Sequence, residues 1–168
     1  MKPLITLLML CLGLACIAPA QAGATRVNTP YDSPKVVFDM YLDDPAKLNS
    51  ALSWLRSMSS ALSKSPYQFD PTTIKIVVHG AEIVTLVKKN EDKYPVAVEK
   101  MKQLADQGVE FKVCAYTSDI YGYRDEEFHD FVEIVPSAIA EVAYWQSKGY
   151  ALIVPQVAES RRSIEEIR

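Results

Sequence analysis

Cysteine is scarce in this chain, with three residues in 168, and two of them, Cys11 and Cys16, lie in an N-terminal stretch that reads as a secretory signal. Past that stretch only Cys114 remains. An internal disulfide framework is therefore excluded, and an exported protein is left with one unpaired thiol. Histidine is scarcer still, limited to His79 and His129. One thiolate and two imidazoles far apart in sequence make a poor ligand set, so no metal site and no cofactor are expected. A Gly-rich phosphate loop, a serine-nucleophile elbow and a zinc signature are all missing. No block of Lys or Arg stands out against a formal net charge of −3, which becomes −4 if Lys2 is removed with the signal. That balance excludes the electrostatic footprint of a nucleic-acid or anionic-lipid binder. Internal repeats and low-complexity blocks are absent too.

Long apolar runs are also lacking. The longest, Leu4 to Ile17, falls short of the ~20 residues of a membrane span. Lys2 precedes it and Ala18-Pro19-Ala20-Gln21-Ala22 follows, an order of charged, apolar and small residues that marks a signal cleaved after Ala22. Residues 1–22 are read as signal peptide, with an uncleaved anchor as the alternative. The expectation is an exported, periplasmic protein with no stable membrane insertion after signal removal. Cys16 fits a lipid-attachment site poorly, because Gly13 stands three residues before it where a large aliphatic belongs. Residues 23–34, rich in Thr, Asn, Ser and Pro, read as a flexible leader, and residues 156–168 as a charged tail holding at most a frayed helical turn.

What remains, residues 35–155, alternates strand and helix patterns. Lys35 to Tyr41 is β-branched and aromatic, and Asp43-Asp44-Pro45 supplies helix-start chemistry. From Ala46 to Leu62, Leu48, Leu52, Leu55, Met58 and Leu62 recur at three- and four-residue spacing, which predicts a helix with one buried stripe. Thr73 to Val78 predicts a second strand, largely apolar on both faces as a central parallel strand is, stopping at His79-Gly80. Helical stretches are expected over Ala81 to Lys89 and Tyr94 to Gln107, the latter capped by Gly108. A third strand ends at Cys114, and Ala115 to Asp130 is polar, aromatic and only weakly helical. Phe131 to Val135, a helix opened by Pro136-Ser137 and running to Ser147, and Tyr150 to Val154 complete the series. This pattern predicts an α/β domain of three layers, a parallel five-stranded sheet with helices on both faces.

Ligands in such sheets gather beyond the carboxyl ends of the strands, and His79-Gly80 and Cys114 both fall there. Only a few per cent of a free thiol is ionised near neutrality, and a helix N-terminus or a nearby cation raises that fraction. If the second and third strands are close, the amides after Gly80 and the imidazole of His79 face the sulfur. Two alternatives stay open: Cys114 as a small buried hydrophobe, and His79 as a ring that simply bonds the next loop. Tyr116, Tyr121, Tyr123 and Phe128 beside Asp119, Asp125, Glu126 and Glu127 are expected to form a subunit contact, with an exposed ligand lid as the alternative.

The motifs Lys35-Val36-Val37-Phe38, Asp43-Asp44-Pro45-Ala46-Lys47-Leu48, Val77-Val78-His79-Gly80, Gln107-Gly108-Val109-Glu110-Phe111-Lys112-Val113-Cys114-Ala115 and Val135-Pro136-Ser137-Ala138 together resemble the DsrE/DsrF-like family, of YchN-like fold. The resemblance covers nearly the whole domain and is taken as pointing to an exported branch. It implies a parallel five-stranded fold, a homo-oligomer, and a cysteine matching Cys114 that carries sulfane sulfur as a persulfide. Its implied partners are sulfur donor and acceptor proteins or small sulfane-sulfur compounds. Two stretches depart from the family's pattern. Ala81-Glu82 replaces Gly or Pro after His-Gly, and Tyr116-Thr117-Ser118 replaces Asn-Thr-Leu after Cys-Ala. Glu82 beside the thiol disfavours thiolate, unless it points to solvent and serves the helix dipole. Tyr116 is expected to shield the sulfur or donate to it from its hydroxyl.

Two functions follow as expectations. The first is a sulfane-sulfur carrier or sulfurtransferase in which Cys114 and His79 act, with Gly80, Tyr116, Thr117 and Glu82 around them. One thiol suffices for relay but not for dithiol redox chemistry, since no resolving cysteine is present. The second is a non-catalytic oligomeric binding or scaffold subunit in sulfur metabolism, in which Cys114 merely packs.

Overall fold

The computed structural model describes residues 23–158 and 161–168. The expected signal segment, with Cys11 and Cys16, lies outside them. Five parallel strands form one sheet in the order β4-β3-β2-β1-β5: β1 Val36–Met40, β2 Ile74–Val78, β3 Glu110–Cys114, β4 Val132–Val135 and β5 Ala151–Ile153. Helices cover both faces. α1 Leu48–Leu62 and α2 Pro95–Asp106 pack on one face against Val36, Phe38, Ile76, Val78, Phe111 and Val113. α4 Ala138–Ser147 packs on the other, where Val37, Val77 and Cys114 meet Ala138 and Val142. Between β3 and β4 lies α3 Ala115–Tyr121, and a last turn, α5 Ile164–Ile167, closes the chain.

The period-two alternation of the strands explains this division. Val36, Phe38 and Met40 point to one face and Val37 and Asp39 to the other, and β1 pairs with β2 so that Asp39 stands opposite Val77. Connections that advance across the sheet with right-handed crossovers stay on one face, and the single return, α4 to β5, must use the other. Tyr123 and Phe128, which follow α3, accordingly pack into the α1/α2 core. The chain therefore leaves β3 and β4 toward opposite faces, which opens a crevice at their carboxyl ends.

Several expectations are corrected. Ala81 to Lys89 is not one helix but two 3-10 turns, Ala81–Leu86 and Lys88–Lys93, broken at extended Val87. Val87 forms an isolated antiparallel bridge with Phe128, so a tertiary pairing overrides the local helical tendency. The segment after Cys114 is regular helix at once, not weakly helical: Ala115–Tyr121 follows the strand without a loop and ends at left-handed Gly122, φ 71°. β2 is not apolar on both faces, because Lys75 lies on the α4 side, 3 % exposed. Its ammonium is held by Glu110 at 2.5 Å and by the Thr72 carbonyl at 2.9 Å. Lys112 next to it meets Glu133 at 2.5 Å, and both lysines lie against the Trp145 ring. Beneath α4 the sheet thus carries a layer of paired charges. Burial lowers the Lys112 pKa, but its bonds to Glu133 and Glu110 outweigh that and hold it above its ordinary value.

Candidate functional site

The carboxyl ends of β1 to β4 surround a cavity of about 740 Å³. Every segment that leaves the sheet there contributes to its wall: Tyr41 to Asp43 after β1, His79 to Ala81 after β2, Cys114 with Tyr116 and Thr117 after β3, and Pro136 to Ile139 after β4.

Cys114 is the last residue of β3, paired in register with Val135 of β4, and its side chain points to the α4 face. It is 5 % exposed yet lines the cavity, so the sulfur sits at the floor and not at the rim. Burial pushes the thiol pKa up. Against it stand hydrogen bonds from the amides of Ala138, Thr117 and Tyr116 and from the Thr117 hydroxyl, and their sum brings the thiol below its ordinary value. The donors differ from those expected. The amides facing the sulfur open α3 and α4, not the turn after Gly80, because the sulfur falls where the chain parts to opposite faces of the sheet.

His79 arrives beside Cys114 through strand register. Val78 of β2 pairs with Val113 of β3, so His79 and Cys114 each stand one position past the last pair, and both line the cavity. Two steps from Val77, His79 shares its face. Its ring is held by two residues of β1 and its exit. Nε2 lies 2.6 Å from Asp39 Oδ1, and the Tyr41 ring tilts over it with centroids 5.0 Å apart. The Thr117 hydroxyl stands between the two strand ends, 3.4 Å from the His79 carbonyl, and gives its one proton either to that carbonyl or to the Cys114 sulfur.

Asp39 escaped sequence reasoning. Its signal was present, as the one acid in the apolar run Val36-Val37-Phe38-Asp39-Met40, but its partner lies 40 residues away and only the β1–β2 register joins them. Glu82 was misplaced. It neither lines the cavity nor reaches solvent, being fully buried. Its two carboxylate oxygens accept from the backbone N–H groups of Leu42 at 2.8 Å and Gly80 at 2.9 Å, lacing the exits of β1 and β2 together. Burial raises its pKa above the usual carboxylate value despite those amides. Gly80 is the counterpart of this lace, since a Cβ there would collide with the Glu82 carboxylate and the Leu42 backbone. Tyr116 contributes its amide to the sulfur, while its ring stands at the rim, 70 % exposed, so shielding of the sulfur is not its role. Within the aromatic cluster, Phe128 is buried with Tyr123 against it at 6.0 Å, Tyr121 stacks on Tyr123 at 6.4 Å, and Tyr116 and Tyr121 line the cavity.

A family model, that of the DsrE/DsrF-like family, matches residues 35–155. The chain belongs to that family. DsrE/DsrF-like membership supports, at the level of the family, a role in sulfur metabolism. Among solved structures, this DsrE/DsrF-like chain is similar to the protein of unknown function MTH1491 from Methanobacterium thermoautotrophicum, at 24 % identity and a TM-score of 0.59, over 73 % of this chain and 100 % of that one. At that identity the likeness carries the fold. No curated protein matches the chain. Within this DsrE/DsrF-like domain the described residues contain no group of three or more His, Cys, Asp or Glu placed to hold a metal ion.

Proposed function

We propose that this protein is a sulfane-sulfur carrier that holds sulfur on Cys114 as a persulfide. The observation that carries the reading is the position of the sulfur: at the floor of an open cavity that His79 and Thr117 also line, where the first amides of α3 and α4 lower the thiol's pKa. A thiolate is the nucleophile in sulfur exchange, and these donors favour it without a cation.

Loading is an exchange. The Cys114 thiolate attacks the terminal sulfur of a donor R–S–SH, a new S–S bond forms on Cys114, the donor S–S bond breaks, and RS⁻ leaves. Release reverses it: an acceptor thiolate attacks the outer sulfur, takes it as its own persulfide, and Cys114 leaves as thiolate. Neither step changes the total oxidation state, so no external oxidant is needed. His79 supplies or removes the proton on the departing or attacking sulfur, with its ring set by Asp39 and Tyr41. The absence of a second cysteine in the domain fits relay better than dithiol redox chemistry.

The reading extends to an exported protein, on the order of Lys2, the apolar run to Ile17 and the small residues before Gly23. Sequencing of the secreted form from its N-terminus should begin at Gly23.

The decisive experiment is mass spectrometry of the Cys114 peptide after incubation with an organic persulfide. One added sulfur atom, removed by a reductant and missing from Cys114→Ser, supports the carrier. An unmodified Cys114 at full donor excess rejects it.

A further inference from the structure

We infer that the donor serving Cys114 is a neutral sulfane compound bearing an apolar group, and that a collar of exposed hydrophobic side chains selects it. This inference rests on the carrier reading and specifies its substrate. Five large side chains, Tyr41, Tyr116, Ile120, Tyr121 and Ile139, line the cavity while remaining exposed to solvent, four of them by 65 % or more. Scattered exposed hydrophobics are ordinary, but several brought to one rim from the exits of three strands make a contiguous apolar surface, which marks a binding site.

The charge around the cavity points the same way. No lysine or arginine lines it among the described residues. Its ionisable side chains are partnered: the His79 imidazole by Asp39 at 2.6 Å and Asp43 by Lys47 at 2.8 Å. The amides of Ala138, Thr117 and Tyr116 already serve the Cys114 thiol, lowering its pKa. An anionic donor such as thiosulfate would exchange its hydration for aromatic and aliphatic walls with no cation to replace it. A neutral donor with an alkyl or aryl group instead covers apolar surface on both sides of the contact.

The test separates selectivity from sulfur chemistry. Labelling of Cys114 in the full chain is followed in its own peptide by mass spectrometry, so Cys11 and Cys16 do not enter the rate. Benzyl methanethiosulfonate and its anionic sulfonatoethyl analogue are compared, each normalised to its rate with N-acetylcysteine. The benzyl reagent should be favoured about tenfold or more, the scale on which an apolar pocket discriminates. Benzyl hydropersulfide, whose S–H is more acidic than that of a thiol, and thiosulfate are then compared as sulfur donors across pH, with the rate of the first referred to its un-ionised fraction; it releases benzyl thiolate and thiosulfate releases sulfite as Cys114 gains its sulfur. Placing a cation on the collar with Ile139→Lys or Tyr116→Lys, both at exposed positions that tolerate it, should shift both preferences toward the anion. Equal normalised rates for the two methanethiosulfonates overturn the collar's role. Persulfide formed as fast from thiosulfate overturns the donor assignment and leaves the carrier standing. Benzyl selectivity without persulfide from either donor overturns the carrier, and the donor assignment with it.

Discussion

His79 Nε2 lies 2.6 Å from Asp39 Oδ1, a contact made between the ends of β1 and β2 by residues 40 positions apart. A carboxylate at that distance fixes which imidazole nitrogen is turned away from the cavity and restrains the plane of the ring, with Tyr41 packed over one side. It makes Asp39 a positioning residue: it reaches the sulfur only through His79.

Removing the imidazole therefore tests proton transfer, and removing the carboxylate tests positioning. His79→Ala should slow persulfide transfer from Cys114 to an acceptor thiol about a hundredfold, within the range of general acid-base catalysis. Asp39→Asn should slow it less and should shift the pH profile of transfer while leaving thermal unfolding nearly unchanged. Single-turnover transfer measured across pH gives both. An unchanged profile in Asp39→Asn would show the contact to be structural alone.

The thiol itself should titrate below a free cysteine measured under the same conditions, because its hydrogen bonds outweigh its burial. Iodoacetamide labelling of the Cys114 peptide against pH reads the midpoint. Thr117→Val, nearly the same size, removes the hydroxyl proton that serves either the sulfur or the His79 carbonyl, so the midpoint should rise. A midpoint at or above that of free cysteine in the wild type would argue for a packing role.

The lace beneath the cavity should be unforgiving. Gly80→Ala places a methyl group against the Glu82 carboxylate and the Leu42 backbone and should cost about 3 kcal/mol or more, the upper range for overpacking. Glu82→Gln keeps one acceptor oxygen for two N–H donors, Leu42 and Gly80. It should cost about 1–3 kcal/mol, the penalty of one buried donor left unpaired. Urea unfolding measures both; a Glu82→Gln variant as stable as wild type would remove Glu82 from this structural role.

Acid should weaken the fold through His129. This ring is buried, stacked on Phe131, and its Nε2 has no hydrogen-bond partner among the described residues. Burial lowers its pKa in the folded state. The unfolded chain then binds the proton first, so this contribution to stability is complete above about pH 6.5 and is lost as pH falls toward the folded value. His129→Phe should flatten that part of the stability curve. Glu82 acts with the opposite sign: its raised pKa favours the folded state below about pH 4.3, and the benefit fades as pH rises through the folded value. Unfolding free energies between pH 4 and 8 in wild type and His129→Phe separate the two.

Legibility of the fold and site followed the range of the interactions involved. β1, α1, α2, β3 and α4 could be read because alternation, heptad-like spacing, the Asp44-Pro45 and Ser137 caps and Gly108 are local signals. The 3-10 break at Val87 was not readable, since Val87 yields to a bridge with Phe128 more than 40 residues on. Lys75 and Lys112 escaped for the same reason: what makes a buried lysine tolerable is its partner on the next strand, Glu110 or Glu133.

Amino-acid order by itself determined the alternation of strands and helices, the parallel sheet that follows from it, and the arrival of Cys114 and His79 at the carboxyl edge, because each depends on patterns within a few residues. Only the tertiary structure decided what surrounds the sulfur. Strand register brought His79 beside it and Asp39 onto His79, the divergence of α3 and α4 aimed their first amides at it, and Glu82 was drawn inside to hold the backbone. Those outcomes depend on which distant segments become neighbours, and a parallel sheet makes neighbours of strands that the chain keeps 21 or more residues apart.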